Sequence, residues 1–134
     1  MTQPKKSLSS VRRTIDAFLA FDGLGADTSY MLAAGAALYV WGLRDTYSDI
    51  DIIVPALSVE HTSLMVDGQE IEGGNLASWR TIPNFDVDAA WRDRRMVDGI
   101  WVMSLADLLR FKTALNRPKD QADIRRLLAI LRPY

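Results

Sequence analysis

Two aspartates one residue apart, Asp49 and Asp51, are the residues whose type and spacing most clearly predict chemistry. They alternate with isoleucines as Asp-Ile-Asp-Ile, and successive side chains of a β-strand point to opposite faces. Both carboxylates then lie on one face, with their Cα atoms roughly 7 Å apart. Carboxylate oxygens are the ligands that Mg²⁺ and Mn²⁺ prefer, and Mg²⁺ keeps room for substrate phosphates. The pair therefore predicts a divalent-cation site. The competing interpretation is that both aspartates lie on the solvent-exposed face of a half-exposed sheet and bind no metal.

A site for two metal ions calls for a further carboxylate from a neighbouring strand. The stretch Phe85-Asp86-Val87-Asp88-Ala89 also alternates, which predicts a strand whose polar face carries Asp86 and Asp88. The residues do not separate the two aspartates, and we favour Asp88 because it lies further into the predicted strand. Such a site activates an attacking hydroxyl group while it neutralises a leaving pyrophosphate.

A turn at Gly35-Ala36 precedes the aspartate pair. It joins a predicted buried strand, residues 29–34, to a predicted helix, residues 36–43. Glycine lets backbone N–H groups approach a phosphate, and a helix N-terminus favours negative charge; the alternative is a tight turn without a ligand. Since the next predicted strand, residues 49–54, is rich in isoleucine and valine, carboxylates at its start need a partner such as a cation.

The remaining patterns predict the elements that position these groups. A helix is expected from Ser9 or Ser10, with Val11, Ile15, Phe18 and Leu19 on one face, and further helices follow Ser104 and Pro118. Hairpins are expected around Asp67-Gly68, between residues 61–66 and 69–72, and around Asp98-Gly99. Residues 73–84 read as mostly loop. We therefore predict an α/β (α+β) fold, a mixed sheet with helices packed on it, in one domain of residues 9–134 after a flexible tail, residues 1–8.

Composition narrows the functional classes. The chain has 134 residues, a formal net charge of −1 and no cysteine, which excludes disulfides, thiolate metal sites and cysteine nucleophiles. One histidine, His61, is too few for a histidine-rich zinc site within one chain. The absence of a long apolar run or an apolar N-terminal stretch favours a cytoplasmic protein without a membrane partner.

Two blocks of the sequence resemble the nucleotidyltransferase superfamily. Residues 31–54 are similar to its core motif, a hydrophobic strand, a glycine followed by Gly or Ser, and then Asp-hydrophobic-Asp-hydrophobic. Gly42, Leu43, Arg44 and Thr46, followed by Asp49, look like the small bacterial branch that includes abortive-infection toxins and minimal nucleotidyltransferases. Residues 104–123 are similar to the segment of that branch with a helical lysine and a following Arg-Pro-Lys-Asp-x-x-Asp element.

The resemblance implies transfer of a nucleoside monophosphate from a nucleoside triphosphate to a hydroxyl group of RNA, protein or a small molecule, with Mg²⁺ or Mn²⁺. A role in toxin–antitoxin systems or phage defence is compatible with it, and so is a protein partner or a second copy. The predicted metal ligands are Asp49 and Asp51, with Asp88 or Asp86 as the third; the predicted catalytic residues are Asp49, Asp51, Asp88 and Lys112. The predicted nucleotide-binding residues are Gly35, Ala36, Arg44, Ser48, Lys119, Asp120 and Asp123.

One position departs from the pattern of that superfamily. Ala36 stands where Gly or Ser is usual, and an alanine side chain cannot donate a hydrogen bond to a phosphate. There are two alternatives to an active transferase, and this departure, with the ambiguous third aspartate, motivates the first of them. One is a degenerate domain of the same fold that binds a nucleotide or a partner without catalysis, and the other is an interaction domain whose aspartates are simply exposed.

Overall fold

The computed structural model describes residues 6–132, which form six α-helices and six strands. The helices are α1 (Leu8–Phe21), α2 (Ala34–Val40), α3 (Leu76–Trp79), α4 (Val87–Arg92), α5 (Leu105–Leu115) and α6 (Gln121–Leu131), with a 3₁₀ turn (Pro118–Asp120) before α6. The strands are β1 (Met31–Ala33), β2 (Ile50–Ile53), β3 (His61–Val66), β4 (Gln69–Gly74), β5 (Arg95–Val97) and β6 (Ile100–Val102). None of the helices within this range is both long and apolar enough to cross a lipid bilayer.

All six strands lie in one sheet with the order β3-β4-β2-β1-β6-β5. β2 is antiparallel to β1 and parallel to β4, while β1 is parallel to β6. The two ends of the sheet are the hairpins β3–β4 and β5–β6. The predicted mixed sheet with packed helices is confirmed. Strand β2, which carries Asp51, is one of the two middle strands of this sheet.

Both hairpins form where the two Asp-Gly pairs predict them. Asp67 and Asp98 have φ values of 49°, and Gly68 and Gly99 have φ values of 80°. Positive φ at both central residues defines the turn whose twist matches that of paired strands. Asp-Gly adopts it easily because aspartate tolerates this region and glycine has no Cβ.

The alternation of β2 divides its side chains as predicted. Ile50 and Ile52 are fully buried, whereas Asp51 between them is half-buried on the opposite face. The isoleucines pack within a core that also contains the apolar face of α1. Phe18 of that helix lies directly over Gly73, where a Cβ would come within 2.3 Å of the phenyl ring.

Helix α1 begins earlier than its sequence predicts. Ser7, rather than Ser9 or Ser10, is the N-cap, and its side chain accepts a hydrogen bond from the backbone N–H of Ser10. The Ser10 side chain in turn accepts from the backbone N–H of Ser7, which completes a capping box. The last two residues of the predicted tail thus belong to this helix, and residues 1–5 lie outside the described residues.

The predicted strand at residues 85–89 is wrong. Asp86 is the N-cap of α4 and accepts a hydrogen bond from the backbone N–H of Ala89 at 3.0 Å. Its side chain thus accepts a hydrogen bond from an N–H group of the first helical turn, which is the usual role of aspartate at the start of a helix. The alternation of this short segment therefore reflects the first turn of a helix, in which Val87 and Ala90 are buried.

The strained residue where β1 turns into α2 is Ala34, the first residue of the helix, and not Gly35. Ala34 has a φ of 57°, and this left-handed conformation costs roughly 1–2 kcal/mol for a residue with a Cβ. Gly35 is needed for a different reason, because a Cβ there would come within 2.7 Å of Nη1 of Arg44. Ala34 therefore has the strained backbone of this turn, and Gly35 leaves the space that the side chain of Arg44 occupies.

Replacing Ala34 by glycine is expected to stabilise the protein by about 0.5–1 kcal/mol, because glycine adopts positive φ without strain. The matched control is Ala37→Gly, within α2, which should destabilise by about 1 kcal/mol or more because glycine is a poor helix former. Urea unfolding of the three proteins measures both changes. A loss of stability in Ala34→Gly would show that its backbone is not strained.

Candidate active site

An open cavity is lined by the aspartate pair on one side and by cationic side chains on the other. Asp49 precedes β2 and is exposed, and Asp51 lies within the strand. The turn at Ala34 and Gly35 closes the end of the cavity next to the pair. The other lining residues are Arg44, Ser48, Lys112, Arg117, Lys119 and Asp120. Most of the predicted site residues therefore converge on this cavity.

The acidic side extends onto β4, whose carboxylates, Glu70 and Glu72, are not among the predicted site residues. Glu72 is the register partner of Asp51 in the parallel pair β2–β4, and paired residues of adjacent strands point to the same face. Glu70 lies two residues earlier and shares that face. The signal was present in the sequence, because Glu-Ile-Glu in residues 70–72 repeats the alternation of Asp-Ile-Asp. What the sequence lacks is the register that sets the two stretches side by side.

Electrostatic repulsion acts on Asp51. Its pKa is raised to about 6, first by burial and then by the negative charges of Glu72 and Asp49, against the opposing effect of Lys112 and Arg117. The pKa of Glu70 is also raised, first by the charge of Asp49. The carboxylates on this face thus have more negative charge than the nearby cations neutralise.

This donor set fits a hard divalent cation, which is the group that the sequence resemblance implies. Oxygen ligands are present on adjacent strands. A cation would stabilise the ionised form of Asp51, which burial and the charges of Glu72 and Asp49 disfavour. Within residues 6–132, however, no three acidic or histidine side chains already surround a common point at metal-binding distance. The carboxylate of Glu72 lies instead 3.7 Å from Nε2 of His61.

The cationic side is built on a buried network of ion pairs. Nζ of Lys112 lies 3.1 Å from Asp120 and 3.4 Å from Asp123, and all three side chains are almost fully buried. Asp120 also accepts hydrogen bonds from the guanidinium of Arg117 at 2.8 and 3.0 Å. Asp123 accepts from Arg44, with Nε at 3.2 Å from Oδ1 and a second bond from Nη2. The predicted Lys-Asp-x-x-Asp element therefore pairs with cations of its own chain.

The pKa values of both carboxylates follow from these contacts. Burial opposes the ionisation of Asp120, but hydrogen bonds from Arg117 and Lys112 outweigh it and lower its pKa to about 2. Burial likewise opposes the ionisation of Asp123, and the contacts with Arg44 and Lys112 lower its pKa below the ordinary value. Both groups are thus carboxylates at neutral pH and serve as fixed anions.

Ser48 and Lys119 are exposed at the rim of the cavity, where a second, shallower groove begins. No carboxylate within residues 6–132 lies at ion-pair distance from Lys119. Arg126 extends along this groove and donates to the backbone carbonyl of Leu43 at 3.0 Å. By contrast, Ala36 is fully buried and does not line the cavity, so its methyl group belongs to the core.

Asp86 and Asp88 lie elsewhere, so the reason for assigning either of them to the metal is lost. Asp88 makes two hydrogen bonds with Arg80, at 2.7 and 2.9 Å, and these lower its pKa. Asp86 caps α4 and lines a separate cavity between that helix and α5. Neither residue is on a strand, and β4 provides the carboxylate that neighbours Asp51.

Comparison with known proteins identifies the fold. No protein-family model and no curated protein sequence matches this chain. An antigenic nucleotidyltransferase-like protein from Paracoccidioides brasiliensis superposes with a TM-score of 0.58, covering 95% of this chain and 78% of that one at 16% sequence identity. A candidate nucleotidyltransferase from Thermotoga maritima superposes with a TM-score of 0.54, covering 90% and 92% of the two chains at 18% identity. This chain therefore has the nucleotidyltransferase fold.

Proposed function

We propose that this protein transfers a nucleoside monophosphate from a nucleoside triphosphate to a hydroxyl acceptor. The observation that carries the proposal is the cavity in which the carboxylates of Asp49 and Asp51 face an array of cations. A nucleoside triphosphate with its metal ion needs both, because the metal requires oxygen ligands and the phosphates require positive charge.

The acidic side is the metal-binding side in this proposal. Asp49 and Asp51 hold the cation, and Glu72 completes the set by turning away from His61. A divalent cation in such a site neutralises the leaving pyrophosphate and increases the nucleophilicity of the acceptor hydroxyl. Since Asp51 is half-buried on the central strand β2, its carboxylate is fixed before the substrate binds.

The cationic side takes the triphosphate. Arg44, Arg117 and Lys119 line the cavity with donors, and a guanidinium group can bind phosphate oxygens in a bidentate manner. Arg44 and Arg117 each keep part of their side chain exposed, 29% and 42%, although both are paired with an aspartate. The fixed aspartates thus orient the arginines without consuming all of their donors.

The test is incubation of the protein with each of the four labelled nucleoside triphosphates and Mg²⁺ or Mn²⁺. The acceptors are total RNA, the protein itself, a protein mixture and small hydroxyl compounds. We expect one triphosphate to give labelled product and pyrophosphate, and Asp49→Asn to give none. The control is Asp67→Asn, at an exposed hairpin turn where asparagine is equally suitable, and it should keep full activity.

The same variants test the toxin or phage-defence role that is compatible with the sequence resemblance. Growth arrest on expression that requires Asp49, and that Asp67→Asn preserves, would connect transfer to such a role. Unimpaired growth together with in vitro transfer would separate the two.

A second candidate is a degenerate domain that binds a nucleotide without transferring it. It is favoured by the finding that no three potential metal ligands converge within residues 6–132. Calorimetry distinguishes the two functions: a degenerate domain binds a triphosphate in an Asp49-dependent manner but releases no pyrophosphate with any acceptor.

A further inference from the structure

Lys112 has little access to the cavity that it borders. Only 5% of its side-chain surface is exposed, against 29% for Arg44. Its ammonium group already has two carboxylate partners, at 3.1 Å and 3.4 Å. An ammonium group has three donors, so little capacity is left for a phosphate. The burial and the contacts together point to a role within the protein.

The two carboxylates that Lys112 holds have different second partners. Asp120 pairs with Arg117, three residues earlier, and also accepts from the backbone N–H of that residue at 3.1 Å, so this contact is local to the turn. Asp123 pairs with Arg44, which is 79 residues away in the sequence and reaches α6 from the loop after α2. The contact between Arg44 and Asp123 joins two distant segments, so it depends on the position of Asp123 on α6.

Arg44 lies where its position affects the active site directly. Its Nη1 occupies the space over Gly35 that a Cβ would need, at 2.7 Å, so the guanidinium sits on the turn that closes the cavity. The line of contacts therefore runs from Lys112 through Asp123 to Arg44 and ends at the turn beside the aspartate pair.

We propose that Lys112 is a positioning residue, which holds Asp123 so that Asp123 in turn orients Arg44 toward the phosphates of the substrate. The proposal rests on the proposed function for the nature of the ligand, but the orientation of Arg44 can be measured without one. The phosphates are contacted by the guanidinium group of Arg44 and not by the ammonium group of Lys112. Lys112→Met leaves two buried carboxylates without their shared cation, and their repulsion displaces Asp123 and Arg44.

A double-mutant cycle on triphosphate binding separates this role from direct contact. The probes are inorganic triphosphate and the four nucleoside triphosphates, each with Mg²⁺, and calorimetry gives the dissociation constants. Lys112→Met and Arg44→Gln should each weaken binding by about tenfold, the loss typical of one charge-assisted hydrogen bond. In the Arg44→Gln background, Lys112→Met should weaken it by less than about twofold, since its effect acts through Arg44. An equal loss in both backgrounds would overturn the proposal.

A second readout requires no ligand. In the folded protein the Nε–H of Arg44 donates to Asp123, and the Nε–H of Arg80 donates to Asp88. Lys112→Met should accelerate the solvent exchange of the Arg44 Nε–H resonance and leave that of Arg80 unchanged, whereas Lys112→Arg should largely preserve both. An unchanged Arg44 resonance in Lys112→Met would refute positioning. Wild-type protein that binds no triphosphate would instead refute the proposed function alone.

Should Lys112→Met fail to fold, the double variant with Asp120→Asn removes one buried charge of each sign and is expected to fold. Asp123 still lacks its lysine there, so the Arg44 Nε–H should again exchange faster than in Asp120→Asn alone. Equal exchange in those two variants would contradict the proposal.

Discussion

Replacing Asp51 by asparagine is expected to abolish nucleotide transfer while stabilising the metal-free protein at neutral pH. The loss in kcat should be at least about 10³-fold, since a carboxylate ligand of a catalytic metal contributes several kcal/mol to transition-state stabilisation. The gain in stability should be about 2 kcal/mol, because the pKa of Asp51 is raised to about 6 and its ionisation opposes folding. Activity and stability thus change in opposite directions in one variant.

The pH dependence of unfolding tests this prediction. The folded protein binds the proton of Asp51 more tightly than the unfolded chain does, so wild-type stability falls as the pH rises from about 4 to 7. Asp51→Asn lacks that decline, and the two proteins should become nearly equal below about pH 4. Added Mg²⁺ should raise the melting temperature of the wild type only. Equal stabilities at pH 7 without metal would show that Asp51 is not under electrostatic strain.

Replacing Asp120 by asparagine is expected to have the opposite effect on stability, a loss of about 2–3 kcal/mol at pH 7. The pKa of Asp120 is lowered to about 2 by Arg117 and Lys112, so its ionised form favours the folded protein. Asparagine keeps the shape of the side chain but leaves buried Lys112 with Asp123 as its remaining carboxylate. An incompletely compensated buried charge is costly.

The difference between this variant and the wild type should itself depend on pH. The stabilisation by Asp120 is present above about pH 4, where the unfolded carboxyl group is ionised, and it is lost as the pH falls toward about 2. Chemical unfolding at a series of pH values measures it. Asp98→Asn, in an exposed hairpin turn, is the matched control and should change stability by less than about 0.5 kcal/mol. A similarly small change in Asp120→Asn would show that the buried network contributes little to stability.

Local patterns predicted several elements because the forces behind them are local. The two Asp-Gly hairpins were predictable since few dipeptides tolerate two consecutive positive φ angles. Ser104 caps α5 as its spacing to Asp107 indicates, through a hydrogen bond to the Asp107 backbone N–H at 3.1 Å. The alternation in β2 predicted that Ile50 and Ile52 share one face and that Asp51 lies on the other.

The alternation at residues 85–89 does not correspond to a strand. Four or five residues cannot distinguish a strand from the first turn of a capped helix, because Asp86 and Val87 fit both patterns. The sequence also did not reveal the importance of Glu72, which comes from the parallel pairing of β2 with β4, two strands that are separated along the chain. The partners of Lys112 were equally hidden, since Asp120 and Asp123 could have faced solvent as readily as the core.

By itself, the sequence determined that Asp51 projects from one face of a strand, with Asp49 directly before that strand and a tight turn earlier in the chain, because strand periodicity and glycine chemistry act within a few residues. The tertiary structure decided which groups meet them: Glu72 through the register of β4, and Arg44 through its ion pair with Asp123 on α6. It also decided that Ala34, and not Gly35, has the left-handed conformation. These outcomes depend on contacts between segments that are distant along the chain. Local sequence patterns reflect interactions within a few residues, so they cannot predict such contacts.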